Sequence, residues 1–183
     1  MKKLIFIVCF LFLNVCPSVI YGQQFSEYEV KAAYLYHFIR FVEFPENSFS
    51  DKNEPIIIGI FGNERVGHII IKTLEDKIID GRKISFKIFN KVSDISKCHI
   101  LFVNKVSRSE LVDVLRNVGL KPVLTVGDDI RGFCQMGGII NFLPQFSQHR
   151  FEINNTKAKN NDIIISSKLL GLANIITYNE IEF

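Results

Sequence analysis

Three stretches of the chain, PIIIGIFG at residues 55–62, CHILFV at 98–103 and PVLTV at 122–126, are apolar without alternation. A strand that wets one face alternates with period two, whereas an unbroken apolar run of this length fits a strand packed on both faces. Sheets covered on both faces are built from parallel strands joined by right-handed crossovers. Helical patterns separate these runs. After the turn at Gly62-Asn63, the residues Val66, Ile69, Ile70, Thr73 and Leu74 fit one face of a helix. Ser107-Arg108-Ser109-Glu110 has the form of a capping box, followed by the stripe Leu111, Val112, Leu115 and Val118 and a stop at Gly119. One further strand, KISFKI at 83–88, alternates cleanly and belongs nearer an edge. The expected fold is an α/β domain, a mostly parallel sheet flanked by helices.

The remaining segments extend this plan. Ser26 with Glu29 starts a helix that is expected to run from Tyr28 to about Glu43, with Pro45 beyond it. Its apolar face reads as Val30, Ala33, Tyr34, His37, Phe38 and Phe41, widened by Leu35, Ile39 and Val42. Residues 139–143 and 150–154 read as two strands of a C-terminal hairpin around the turn at 144–147. A closing helix is expected from Ile163 to about Thr177, although its first part is β-branched.

The first residues stand apart. Met1-Lys2-Lys3 is followed by an apolar run to Val15 and a small residue at Gly22, the pattern of a cleaved signal peptide. The division is a signal peptide over 1–22 and one compact domain over 23–183, with export to the periplasm. Cys16 makes a lipoprotein the less favoured alternative, because Val15 is not the small residue that normally precedes a lipidated cysteine. Loss of Lys2 and Lys3 leaves 20 basic against 19 acidic residues, a formal charge of +1. Such a chain offers no electrostatic basis for nucleic-acid binding, and no later run is long enough to span a bilayer.

The stretch GFCQMGGIINF at 132–142 invites several chemical readings. A phosphate-binding loop needs a lysine after its last glycine and a helix beyond it; Gly138 leads instead to Ile139 and a strand. Cys134 as a nucleophile needs a base, and none of His37, His68, His99 and His149 is recognisably paired with it. Asp128 and Asp129 follow a parallel strand, where ligand crevices form in α/β sheets, yet two adjacent acids do not specify a metal. Aspartates in turns and glycines that permit positive φ are the plainer account. Cys98 starts one strand and Cys134 lies past the end of the next. A strand of five or six residues separates them by roughly 17–20 Å, beyond disulfide reach, so both are expected to be free. No cofactor, no metal and no catalytic set is expected.

The mature chain resembles the YfiR-like family of exported bacterial proteins. The resemblance rests on KAAYLYHFIRFVEFP at 31–45, CHILFV at 98–103, VLTVGD at 123–128, Gly132-Phe133 with GGII at 137–140, FEIN at 151–154 and ISSKLLGLA at 165–173. It implies a periplasmic α/β domain without catalysis, whose partner is a membrane-bound diguanylate cyclase or sensor kinase. It also implies tuning by redox state or a small ligand. Members with a cysteine in the first strand can join it to the cysteine of the CHILF segment. Gly59 stands at that position here, so Cys98 lacks that partner.

Two functions follow as expectations. One is a non-enzymatic regulator that binds the periplasmic part of a membrane signalling protein, with homodimer formation open. The other is a small-ligand-binding protein, its crevice formed by the loops after Phe61, Val103 and Val126. Asp128, Asp129, Gly132, Phe133, Gln135, Gly137 and Gly138 are the candidate site residues for either.

Overall fold

The computed structural model describes residues 26–144, 147 and 150–176. The expected signal peptide lies outside them, as do four residues around the hairpin turn and the chain end from 177. Among the described residues the strands are β1 Val42–Glu43, β2 Ile56–Gly62, β3 Ile78–Ile79, β4 Arg82–Phe89, β5 Ile100–Asn104, β6 Leu124–Asp128, β7 Ile140–Phe142, β8 Phe151–Ile153, β9 Ile164–Ile165 and β10 Asn174–Ile175. The helices are α1 Glu27–Arg40, α2 Glu64–Leu74, α3 Arg108–Val118 and the short α4 Asn155–Asn160 and α5 Ser167–Leu170. Eight strands form one sheet in the order β10-β8-β7-β6-β5-β2-β4-β3, and β1 pairs separately with β9.

From β4 to β7 neighbouring strands are parallel. β7 and β8 form the expected antiparallel hairpin, with Ile140 opposite Ile153. Register lines Ile60, Phe102 and Val126 across the sheet. These residues face α1 and α2 in one hydrophobic core, while Phe61, Leu101 and Val103 face α3 in the other. This is the physical meaning of the non-alternating runs: every position of β5 and β6 is buried.

Both sequence-read capping boxes form, Ser26 with Glu29 and Ser107 with Glu110. Two expectations are corrected. First, α1 ends at Arg40 rather than near Glu43, because Val42 and Glu43 turn extended to pair with Ile165 and Ile164. Its buried face is Lys31, Ala32, Leu35, Phe38 and Ile39, while Val30 is 44% and Phe41 37% exposed. A lysine on the core side hid the true stripe. Second, the closing helix does not form. Ile164 and Ile165 make β9, α5 stops after one turn, and Asn174 and Ile175 add a parallel strand beside β8. β-branched residues prefer the pleated surface. β4 lies near the edge, as expected, with the two-residue β3, not foreseen from the sequence, outside it. Asp80 (φ +49°) and Gly81 (φ +81°) form the turn of a β3–β4 hairpin, the Asp-Gly signature of a two-residue loop.

At the amino ends of the parallel strands His99 ties the layers together. Its Nδ1 accepts the Ile57 N–H at 2.9 Å, and its Nε2 lies 3.0 Å from the Ser48 carbonyl. The ring stacks on Phe49 at 4.3 Å, and the Arg82 guanidinium lies 4.0 Å from the Phe49 ring centroid. An imidazole that accepts at one nitrogen and donates at the other is neutral. Burial holds its pKa below the ordinary 6.5, against the hydrogen bond to Ser48 that raises it. The unfolded chain therefore binds the extra proton more readily. The stability from neutral His99 is complete above about pH 6.5 and drains as pH falls through the lower folded value. In urea unfolding between pH 7.5 and 5, wild type should lose stability with acid. His99→Gln should start about 1–3 kcal/mol lower, for the lost acceptor of a buried N–H, and show a flatter pH slope. Equal slopes would show that His99 does not carry the effect.

Candidate functional site

The carboxyl ends of β5 and β6, the start of α1 and the turn after β6 enclose a charged crevice of about 400 Å³ lined by Glu27, Tyr28, Lys31, Lys105, Asp128, Asp129 and Arg131, among others. Its floor is an ion pair. Lys31 Nζ donates to the carboxylates of Asp128 and Glu27. The Lys31 side chain is 11% and the Asp128 side chain 4% exposed, whereas Glu27 is 69% exposed. The ammonium also lies 5.2 Å from the Tyr28 ring and 5.8 Å from the Phe142 ring. Burial alone would lower the Lys31 pKa; the hydrogen bonds to Asp128 and Glu27 outweigh it and hold the amine charged, above its ordinary value. Tyr28 is raised by burial and by the Asp128 charge.

The rim is exposed and strained. Lys105 follows β5 with φ +49° and Asp129 follows β6 with φ +53°. Asp129 is raised by burial, against the pull of Lys31. Lys105 also borders a second opening of about 330 Å³ above β2, shared with Asn63, Glu64 and Asn90. There Asn104, fully buried, holds the point where the chain leaves β2 for one side and β5 for the other. Its Nδ2 donates to the Phe61 carbonyl and its Oδ1 accepts from the Asn63 N–H, both at 3.1 Å. Ligands of open α/β sheets bind at such switch points.

The candidate residues divide sharply. Asp128 and Asp129 belong to the crevice; Asp128 is the last residue of β6 rather than part of the following loop. Phe133 is fully buried and so presents no surface to a ligand. Its ring is held between two glycines. A Cβ at Gly138 would lie 2.1 Å from the ring and one at Gly127 2.7 Å. Gly132 (φ +74°) and Gly137 (φ +97°) supply the positive φ of the turns on either side, and Gly138 N–H closes the loop on the Phe133 carbonyl at 2.9 Å. Gln135 is exposed but outside the crevice lining. The 132–138 segment is thus a packed plug that sets the height of Asp129 and Arg131. Asn141 clamps its start, exchanging hydrogen bonds with the Ile130 N–H and carbonyl at 3.1 Å.

Residues that sequence reasoning passed over are Lys31, Asn104 and Asn141. Each is a polar residue embedded in an apolar pattern, which was the available signal. Cys98 and Cys134 are both free and buried. Burial pushes the Cys98 thiol up to about 11 and raises Cys134 as well, the opposite of an activated nucleophile. A Cβ at Gly59 would lie 3.2 Å from Cys98 Sγ, so the structure places position 59 as the neighbour that the family resemblance implied. Among the described residues no cluster of three or more His, Cys, Asp or Glu could hold a metal ion.

Two outcomes follow. Lys31→Met leaves Asp128 buried and unpaired and should cost about 3–5 kcal/mol, while Lys31→Met with Asp128→Leu should recover most of it; equilibrium unfolding of the double-mutant cycle reads both. Gly138→Ala drives a methyl into the Phe133 ring and should destabilise by at least about 1–3 kcal/mol, the cost of overpacking. Gly137→Ala meets no atom within 4 Å and should cost only its backbone strain of about 1 kcal/mol. Equal losses at the two positions would show that the Phe133 contact is not the constraint.

No helix of the described residues is long and apolar enough to cross a membrane. No curated protein matches the chain by sequence. A family model does match, over residues 28–174, a span that carries α1 with Lys31, the β6 end with Asp128 and the glycine-flanked plug. The chain belongs to the YfiR/HmsC-like family.

Proposed function

We propose that this chain is a non-catalytic periplasmic regulator, which binds the periplasmic part of a membrane signalling protein, a diguanylate cyclase or a sensor kinase, and shifts its output. Membership of a family of periplasmic regulators supports the coarse role. The observation that carries it further is the crevice itself. A buried ion pair fixes its floor, and the exposed Lys105, Asp129 and Arg131 surround it on a rigid sheet end. Charges so placed select and orient a partner more than they add raw affinity. Neither thiol lines the crevice, and both are buried and protonated. Regulation then requires only that the surface bind one state of the partner better than the other; each 1.4 kcal/mol of difference shifts the balance tenfold.

A small ligand in the same crevice is the second reading, favoured by the strained residues at its mouth, Lys105 and Asp129. The two are separable. Lys105→Glu with Arg131→Glu should leave unfolding within about 0.5 kcal/mol of wild type, as surface changes do. It should abolish recovery of a cyclase or kinase from solubilised membranes and reproduce the effect of gene deletion on cyclic-di-GMP or on kinase output. Failure of wild type to retrieve any such protein, with no change in either output on deletion, would refute the regulator. A thermal shift with a small metabolite, abolished by the same variant, would favour the ligand.

A further inference from the structure

A second cavity lies at the other end of the sheet, where β5 and β6 begin and α3 ends. It encloses about 340 Å³, and its walls include Ile95, Cys98, Val118, Pro122 and Val123. Ser48, His99, Asn117 and Lys121 supply its polar groups. Because the central strands are parallel, it is a full strand length from the crevice at Asp128. It is therefore independent of the docking surface proposed above.

Its polar inventory does not balance. Ser48 is 7% exposed and its backbone is engaged at both ends, the N–H with the Pro45 carbonyl and the carbonyl with His99. Yet its Oγ has no hydrogen-bond partner. Asn117 donates through Nδ2 to the Val92 carbonyl at 3.5 Å, and its Oδ1 is likewise buried and unpartnered. Native proteins pair nearly all buried polar atoms; these two oxygens are closed off from the cavity as they stand, and a rotation of each side chain would turn them toward an occupant. At the mouth, the Lys121 ammonium donates to the Asn117 carbonyl at 2.8 Å. With three donors in all, it retains capacity for an anion. Lys97 is already committed to Glu54.

We infer that this cavity is a binding site for a small aromatic hydroxy acid. The ring packs between Val118, Val123, Pro122 and Ile95. The hydroxyl supplies the donor for Asn117 Oδ1 and an acceptor for Ser48 Oγ, reached by rotation of these two side chains in the wall. The carboxylate meets Lys121 at the mouth. Apolar walls with a few convergent polar groups are the usual composition of small-molecule sites, and the volume lies in their range. Cys98, in the wall, makes occupancy visible without any assay of function.

The test uses the purified mature chain and 4-hydroxybenzoate as probe, with benzoate, which lacks the donor, and 4-hydroxybenzyl alcohol, which lacks the charge. Saturable chemical-shift changes should map to Cys98, His99, Asn117 and Val123. The probe should slow alkylation of Cys98 while leaving Cys134 unchanged. The alcohol and the exposed-site variant Lys121→Gln should each weaken binding by about tenfold, the scale of one charge-assisted hydrogen bond, and benzoate, which loses a neutral hydrogen bond, by about fivefold. Ser48→Ala should weaken it to a smaller degree; if that variant does not fold, Lys121→Gln and the two analogues still decide the matter. The site is overturned if no saturable shift occurs, if the shifts cluster at Lys31 and Asp128, or if all three compounds bind alike with Lys121→Gln unaffected.

Discussion

One buried charge pair determines how the longest helix lies on the sheet. Lys31 and Asp128 are 97 residues apart, and neither belongs in an apolar core alone, since an unpaired buried charge costs several kcal/mol. With Lys31 inward, Ala32, Leu35, Phe38 and Ile39 turn onto the sheet with it. Phe38 then meets Phe151 at 4.9 Å and Phe142 at 5.5 Å. Were α1 to bury the stripe from Val30 to His37 instead, Lys31 would enter solvent and Asp128 would be left behind. The pair is weak evidence for extra stability and stronger evidence for a unique orientation, because only one rotation of the helix neutralises both charges.

The same pair marks where sequence reasoning succeeded and where it stopped. Burial of both strand faces was legible from runs such as ILFV, and capping was legible at Ser26 and Ser107, because these signals are local. The rotation of α1 was not. A lysine counts against a buried position in any hydrophobic pattern, and its compensating partner lies in a different element. The chain end failed for a related reason. KLLGLA has helical spacing, but Ile164, Ile165, Asn174 and Ile175 found strand partners in β1 and β8 that outweighed local preference. The β3–β4 hairpin was readable from Asp80-Gly81 and was missed.

The glycines of the 127–138 region take on a sharper role. A turn accounts for Gly132 and Gly137, whose φ values are positive. It does not account for Gly127 and Gly138, which lack that conformation and instead give up side-chain volume to one phenylalanine ring. Backbone and ring in direct contact make the loop part of the core, close-packed and hard to compress. A segment that invited readings as a phosphate loop or a nucleophile is a close-packed support for the charges above it.

Rigidity beneath the rim has a further consequence for Lys105. A left-handed backbone suits glycine, and lysine there carries strain of order 1 kcal/mol. Aspartate at 129 tolerates the same geometry better, though still less freely than glycine. The fold would be easier to form with glycine at both crests. The chain instead places a cation and an anion there, one after each central strand, so part of its conformational stability is exchanged for a fixed dipole across the mouth of the crevice.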